Sequence, residues 1–224
     1  MSMDLRDFIN LLEENGLVHN VEEEVDWNLE ASAITAMCNR IDAPRPIFRN
    51  IKGYPKGYSL AAELYAGSWR NPWRPTALSL GMEPDISYID FCEEIARRGG
   101  NSIKPVVVSY GPCKEEIQIG KEVDLLKFPW PYIHDGDGGR YGTVATIIAK
   151  DLDSDWVNWA AYRHLVHSKN RLGMAFQKGQ QTPNMYYFKY EPRNIPMPCC
   201  IAIGGDPALF HVSAMAAGPG VSEV

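Results

Sequence analysis

An amide at Asn158, a pair of amides at Gln180 and Gln181, and a carboxylate at Glu223 are strung along the second half of this 224-residue chain. Each sits beside an expected strand end or helix start. Their side-chain oxygens are hard donors that together carry one formal negative charge. Such a set suits Mg²⁺, Mn²⁺ or a monovalent cation and is poorly matched to zinc or copper. One carboxylate holds a divalent ion weakly by itself, so the missing charge would come from a ligand, most simply a phosphate whose oxygens complete an octahedron. The alternative is that Asn158 and Gln181 satisfy neighbouring backbone groups. Arg163 could place its planar fork on a flavin-like ring or a substrate carboxylate, or be a surface charge at a strand end. His164, His167 and His211 could ligate metal or shuttle protons. His164 and His167, three apart and next to Ser168 and Lys169, read as solvent-facing.

These side chains need strands and capped helices to hold them. Strands are expected at 143–150 and 156–163, joined by a turn rich in aspartate. Alternation in the second puts Asn158, Ala160 and Tyr162 on one face and Trp159, Ala161 and Arg163 on the other. A further strand is expected at 171–177. After the glutamine pair, Thr182 reads as an N-cap with Pro183 in the first turn of a helix through Tyr190. The apolar stretch 197–203 reads as a strand that buries Cys199 and Cys200. It runs into Gly204, Gly205, Asp206 and Pro207, a capped helix start able to receive an anionic group. Upstream, residues 133–139 carry several glycines, which serve either a tight loop or a close backbone approach to a cofactor.

The first half predicts an α+β unit over about 1–112, followed by a second unit over 113–224. Asp4 caps a helix over 5–15, a strand follows at 18–25, and a second helix capped by Asn28 runs to about residue 43. Short strands are expected at 46–51 and 58–63, and a helix capped by Asp85 ends at Gly99 and Gly100. Residues 104–109 and 115–120 read as buried strands. The N-terminal unit holds no recognisable catalytic constellation.

A net charge of −6 offers no basic face for nucleic acid or anionic lipid. No run approaches the roughly 18 apolar residues that span a bilayer, and no basic and apolar leader opens the chain, so a cytoplasmic location is expected. Five cysteines without C-x-x-C spacing indicate neither a disulfide framework nor a zinc site. The chain stops directly after Glu223 with no closing turn, and reads as a segment of something longer.

HDGDGG, then N-W-x-x-x-R, the glutamine pair, GGDP and S-x-M with GVSE occur in an order and spacing that resemble the UbiD family of prenylated-FMN-dependent reversible decarboxylases. The resemblance is close over the second unit and looser over the first. It implies an FMN-binding split β-barrel behind a small α+β domain. It implies that Asn158 and Glu223 are ligands to the divalent cation (Mn²⁺ or Mg²⁺) that holds the cofactor phosphate. Trp159, Ser213 and Met215 would lie near a monovalent cation such as K⁺. Arg163 would touch the flavin, Gln180 would precede the third metal ligand, and Ala160, Ala161, Tyr162 and Ala214 would line the same region. Where the family commonly has histidine as that third ligand, this chain has Gln181, exchanging nitrogen for an amide oxygen. The family's glutamate-arginine-glutamate proton-transfer network and its oligomerisation domain would lie beyond Val224, so no catalytic residue is expected in this segment. The resemblance implies an aromatic or α,β-unsaturated acid and CO₂ as reactants, a homo-oligomer or association with the remaining portion, and a flavin prenyltransferase as cofactor supplier. Two competing readings are an FMN-binding split-barrel oxidoreductase, which needs no such cation, and a non-catalytic cofactor-domain subunit.

Overall fold

The computed structural model describes residues 3–101, 103–215 and 217–223. Its first helix, α1 (Leu5–Glu14), begins with a reciprocal cap. Asp4 Oδ1 accepts from the amides of Arg6 and Asp7 at 2.7 and 2.9 Å, and Asp7 Oδ2 accepts from the Asp4 amide at 3.1 Å. Its apolar stripe puts Phe8 and Leu12 into a core with Val18, Ile47 and Leu78. Strand β1 (Val18–Val25) runs parallel to β2 (Arg45–Ile51), with α2 (Glu30–Arg40) as the crossover, and β3 (Leu60–Ala61) pairs antiparallel with β2.

Two helix caps in this unit are corrected, and one short helix is added. Leu29, at φ 68°, occupies the N-cap position of α2, while Asn28 bridges to Tyr132. Residues 74–79 form the short helix α3 (Arg74–Ser79) within a stretch whose prolines and aromatics suggest a loop. Ser87, not Asp85, caps α4 (Tyr88–Gly99), accepting from the Asp90 amide at 3.1 Å. Residues 104–109 and 115–120 are also not strands. Val106 and Val107 are 84% and 95% exposed, because no neighbouring strand offers them a pleat to cover.

The second unit is built from two antiparallel three-stranded sheets. One has the order β4 (Arg140–Gly142), β7 (His164–Ser168), β8 (Arg171–Met174); the other has β6 (Val157–Ala161), β5 (Thr146–Lys150), β9 (Cys199–Ala202). Together with the first unit this is a mixed α+β architecture, and among the described residues no sheet closes on itself. Strand β7, like the short β4, is an element the sequence reading lacks. It turns His164 inward, against the expectation of a solvent-facing ring. Cys199 and Cys200 are exposed, because β9 is an edge strand with one pairing partner. Helix α5 (Gln181–Met185) passes into a π-helical turn at Tyr186–Tyr190, and α6 (Pro207–Ala214) starts on the expected Asp206 cap, which accepts from the Ala208 amide at 2.9 Å.

The units share their backbone and their aromatics. Tyr132 exchanges backbone bonds with Trp27 and Leu29, each 3.0 Å, and the Arg140 guanidinium lies 3.5 Å above the Trp27 ring. Tyr65 stacks on Phe210 at 5.0 Å, and His211 of α6 reaches Ser79 of α3 at 2.9 Å. A cavity of about 560 Å³ lies between them, walled by Leu5, Leu64, Tyr65, Val144, Leu209 and Phe210.

His164 is packed edge-on against Trp130 and faces Gly142, where a Cβ would fall 2.2 Å from its Nε2. Gly142→Ala should therefore destabilise the protein by about 1–3 kcal/mol through overpacking, measured as a lowered denaturation midpoint. Burial holds both His164 and His211 below the ordinary imidazole range, His211 at about 4. Unfolding restores a value near 6.5, so the unfolded chain binds more protons between pH 4 and 6.5. This contribution to stability is complete above pH 6.5 and is lost as the pH falls through that window. Thermal melts at pH 7 and 5 should show a drop that His211→Gln reduces.

Candidate functional site

Strand β6 is the outer strand of its sheet, pairing with β5 so that Asn158 lies opposite Ala149. The alternation places Asn158 (1% exposed) and Tyr162 inside, and leaves Arg163 exposed. Asn158 Nδ2 donates to Thr182 Oγ1 at 2.9 Å. Its other end, Oδ1, is buried and accepts no hydrogen bond among the described residues. A buried amide oxygen without a donor is uncommon and points to a missing electropositive partner.

Thr182 is not the N-cap that the sequence suggests. Gln180 holds that position, exposed and without a capping bond, and Thr182 lies fully buried inside the first turn of α5. Its neighbour Gln181 donates Nε2 to the Ala217 carbonyl. That bond uses the amide nitrogen and leaves Oε1 as the remaining donor atom. Residues 221–223 run along the outer edge of β6. Trp156 Nε1 donates to the Val221 carbonyl, the Val157 amide to Ser222 Oγ and the Trp159 amide to Glu223 Oε2, each at 3.0 Å. Glu223 Oε1, like Gln181 Oε1, accepts no hydrogen bond among the described residues.

A second clasp holds the π-helical turn after α5 against the end of β5. The Asp151 carboxylate, fully buried, meets Lys189 Nζ at 2.6 Å and Ser154 Oγ at 2.8 Å, and Tyr190 donates to the Lys150 carbonyl at 3.0 Å. Burial pushes the Asp151 pKa up, but the bonds from Lys189, Ser154 and the Asp153 amide outweigh it and hold the group below its usual range. Burial raises the Tyr162 phenol; hydrogen bonds from Thr182 oppose that rise and the Glu223 charge adds to it. Tyr162, Thr182, Asn158 and Glu223 therefore belong to one neighbourhood.

The other expected residues are distributed unevenly. Ser213, on α6 against β5, is buried and committed within the protein, accepting from Thr146 Oγ1 at 3.1 Å and donating to the Phe210 carbonyl at 2.8 Å. Trp159, Ala160 and Ala161 are half-buried on β6, while Ala214 and Met215 are exposed at the end of α6. Among the described residues no three His, Cys, Asp or Glu side chains gather as a metal site, so any cation here would be held by amide oxygens and one carboxylate. Sequence reasoning missed the roles of Thr182, Trp156 and Ser222. The alternation of Val221, Ser222 and Glu223 as a strand-like edge was the signal available for the latter two.

Two family profiles match the chain: the 3-octaprenyl-4-hydroxybenzoate carboxy-lyase N-terminal domain over residues 9–95, and the Rift-related domain of the same carboxy-lyase, UbiD, over residues 104–224. The chain is 31% identical to the pyrrole-2-carboxylic acid decarboxylase of Pseudomonas aeruginosa, over 99% of this chain and 45% of that protein. It is 30% identical to ferulic acid decarboxylase 1 of Saccharomyces cerevisiae, over 99% and 46%. Among solved structures it is similar to the closed form of Sedimentibacter hydroxybenzoicus vanillic acid decarboxylase, with a TM-score of 0.90 and 28% identity over 100% of this chain and 47% of that one. It is also similar to an evolved dimeric form of the UbiD-class enzyme HmfF from Pelotomaculum thermopropionicum in complex with prFMN, with a TM-score of 0.83 and 28% identity over 99% and 49%. The chain spans about half the length of the curated relatives it matches.

Proposed function

Because this chain belongs to the UbiD family, we propose that it is the cofactor-holding portion of an enzyme for non-oxidative, reversible decarboxylation of an aromatic or α,β-unsaturated carboxylic acid. Its cofactor in this reading is prenylated FMN, and its second unit is the family's split barrel, with the 1–112 and 113–224 division as the domain boundary. The relatives named for pyrrole-2-carboxylic and ferulic acid decarboxylation, and the neighbour solved with prFMN, support the reaction class and the flavin.

The observation that carries the reading is a set of three leftover oxygens. In Asn158, Gln181 and Glu223 the protein engages one end of each group, through Thr182, Ala217 and the Trp159 amide, and leaves Oδ1, Oε1 and Oε1 respectively. These are hard donors with one negative charge among them, matched to Mn²⁺ or Mg²⁺ when a cofactor phosphate supplies the rest. In this reading the exposed Arg163 guanidinium, following β6, meets a flavin ring or a carboxylate through its planar fork. Ser213, already bonded on both sides, contributes less to a K⁺ site than the family resemblance implies. The prenylated flavin, when bound, supplies the electron sink for loss of CO₂. The chain's own residues hold and orient it, and proton delivery to the substrate carbon, an oligomeric state and a cofactor-supplying prenyltransferase belong to the whole protein in this proposal.

Equilibrium dialysis of the purified chain against FMN, with Mn²⁺ or with EDTA, tests the reading. FMN retention should require the metal, and Glu223→Ala should lower it at least about tenfold while the thermal melt is preserved. Metal-independent retention, or a Glu223→Ala variant that retains FMN as the parent does, would refute the assignment.

A further inference from the structure

Helix α4 (Tyr88–Gly99) buries none of its residues fully. One side of it rests on the N-terminal unit. Phe91 and Ile95 are half-buried, the Trp73 ring lies 5.2 Å from that of Tyr88, and Arg98 donates to the Leu80 carbonyl, so the helix is anchored at both ends. The outer side is apolar as well. Tyr88, Ile89, Cys92 and Ala96 share one face by helical spacing, and all four are exposed, Tyr88 at 58% and Ile89 at 70%. A surface helix ordinarily turns one apolar stripe inward and its charges outward. A second apolar face open to water marks a surface that something covers.

The charges bordering that face say what fits it. Asp90, Glu93 and Glu94 occupy the first half of α4, and Arg97 and Arg98 the second. This order also suits the helix dipole, so by itself it names no partner. Beside an open apolar stripe it makes the helix complementary to itself: a second copy laid antiparallel sets each acidic half against the other's arginines, and a two-fold through the helix midpoint repeats every contact. Glu93 joins no ion pair among the described residues, and Arg97 is held by Glu94 at 2.6 Å in an exposed pair of the kind that contributes little. Both are therefore available to a partner. A helix of this length is about 18 Å long, and one such pair falls short of the roughly 800 Å² per partner that a stable interface buries. Val106, Val107 and Val108, exposed a few residues beyond the end of α4, supply further apolar surface.

We infer that the outer face of α4 is a self-association surface, on which a second copy of this chain docks antiparallel, with Cys92 near the two-fold and Glu93 meeting Arg97 of the second copy. The inference is independent of the cation site proposed above.

Sedimentation equilibrium of the purified chain under reducing conditions, with thermal melts alongside, tests it. The parent should pass from monomer to dimer as its concentration rises. Ile89→Asp, at a side chain exposed in the single copy, should lose the dimer and keep the melt of the monomer. Glu93→Arg and Arg97→Glu should each weaken association at least about tenfold, because like charges then meet across the two-fold. Their equimolar mixture should recover it, since the arginines of one variant face the glutamates of the other; a variant that failed to fold could not be rescued in this way. A parent that stays monomeric at every concentration, leaving α4 to another occupant such as the rest of the whole protein, overturns the inference. A dimer that survives Ile89→Asp, or a mixture no more associated than either variant alone, overturns it too.

Discussion

A buried primary amide must be paired at both ends, and the fold meets that requirement at Asn158 only halfway. Leaving a buried polar group without a partner costs about 1–3 kcal/mol, a sizeable part of the net stability of a domain. The bond from Nδ2 to Thr182 ties strand β6 to helix α5, two elements separated by the whole β7 and β8 hairpin. Given that tie, the first turn of α5 can go nowhere else. Gln181 is the neighbour of Thr182 in that turn, and the π-helical turn that follows carries Lys189 back to Asp151. A buried ion pair of this kind adds little net stability, because desolvation offsets the attraction, but removing one partner would strand a buried charge. Its effect is to allow one placement of the helix and penalise others.

The same division of labour governs the rest of the site. Each of the three oxygen-bearing residues is held by the protein through one end only. Rigid support of one end with the other left for a ligand is how a site keeps its geometry before anything binds. In the proposed cation site, oxygen donors without a histidine would favour harder cations.

How much of this the sequence disclosed varied with the range of the interaction involved. Asp4 and Asp206 were readable as caps because the cap and the amide it accepts are two or three residues apart. The faces of β6 were readable because alternation is local. Failures came where a distant partner decides. Leu29 takes the cap position before α2 because Asn28 and Leu29 are drawn to Tyr132, far along the chain. His164 looked exposed beside Ser168 and Lys169, yet Trp130 and Gly142 arrive to cover it. Thr182 resembled a cap by composition, while its hydroxyl is claimed by Asn158, 24 residues earlier. The valines at 106–108 have strand composition and no strand to pair with. Asn158, Gln181 and Glu223 were singled out by their oxygen-bearing side chains and by the family resemblance; that each keeps one oxygen in reserve could not be read without the bonds that occupy the other end.

The strap formed by residues 221–223 is fastened to β6 by three bonds that each involve a side chain on one partner, and none belongs to a backbone ladder. Contacts of this type contribute about 0.5–1.5 kcal/mol apiece, so the strap can lift from its edge while the sheet beneath stays intact. A ligand that takes the remaining Glu223 oxygen recognises only the fastened form. Thermodynamic linkage then makes the two equilibria reciprocal: occupancy pins the strap, and any substitution that loosens Trp156 or Ser222 is felt as weaker occupancy by the factor that the fastened population falls.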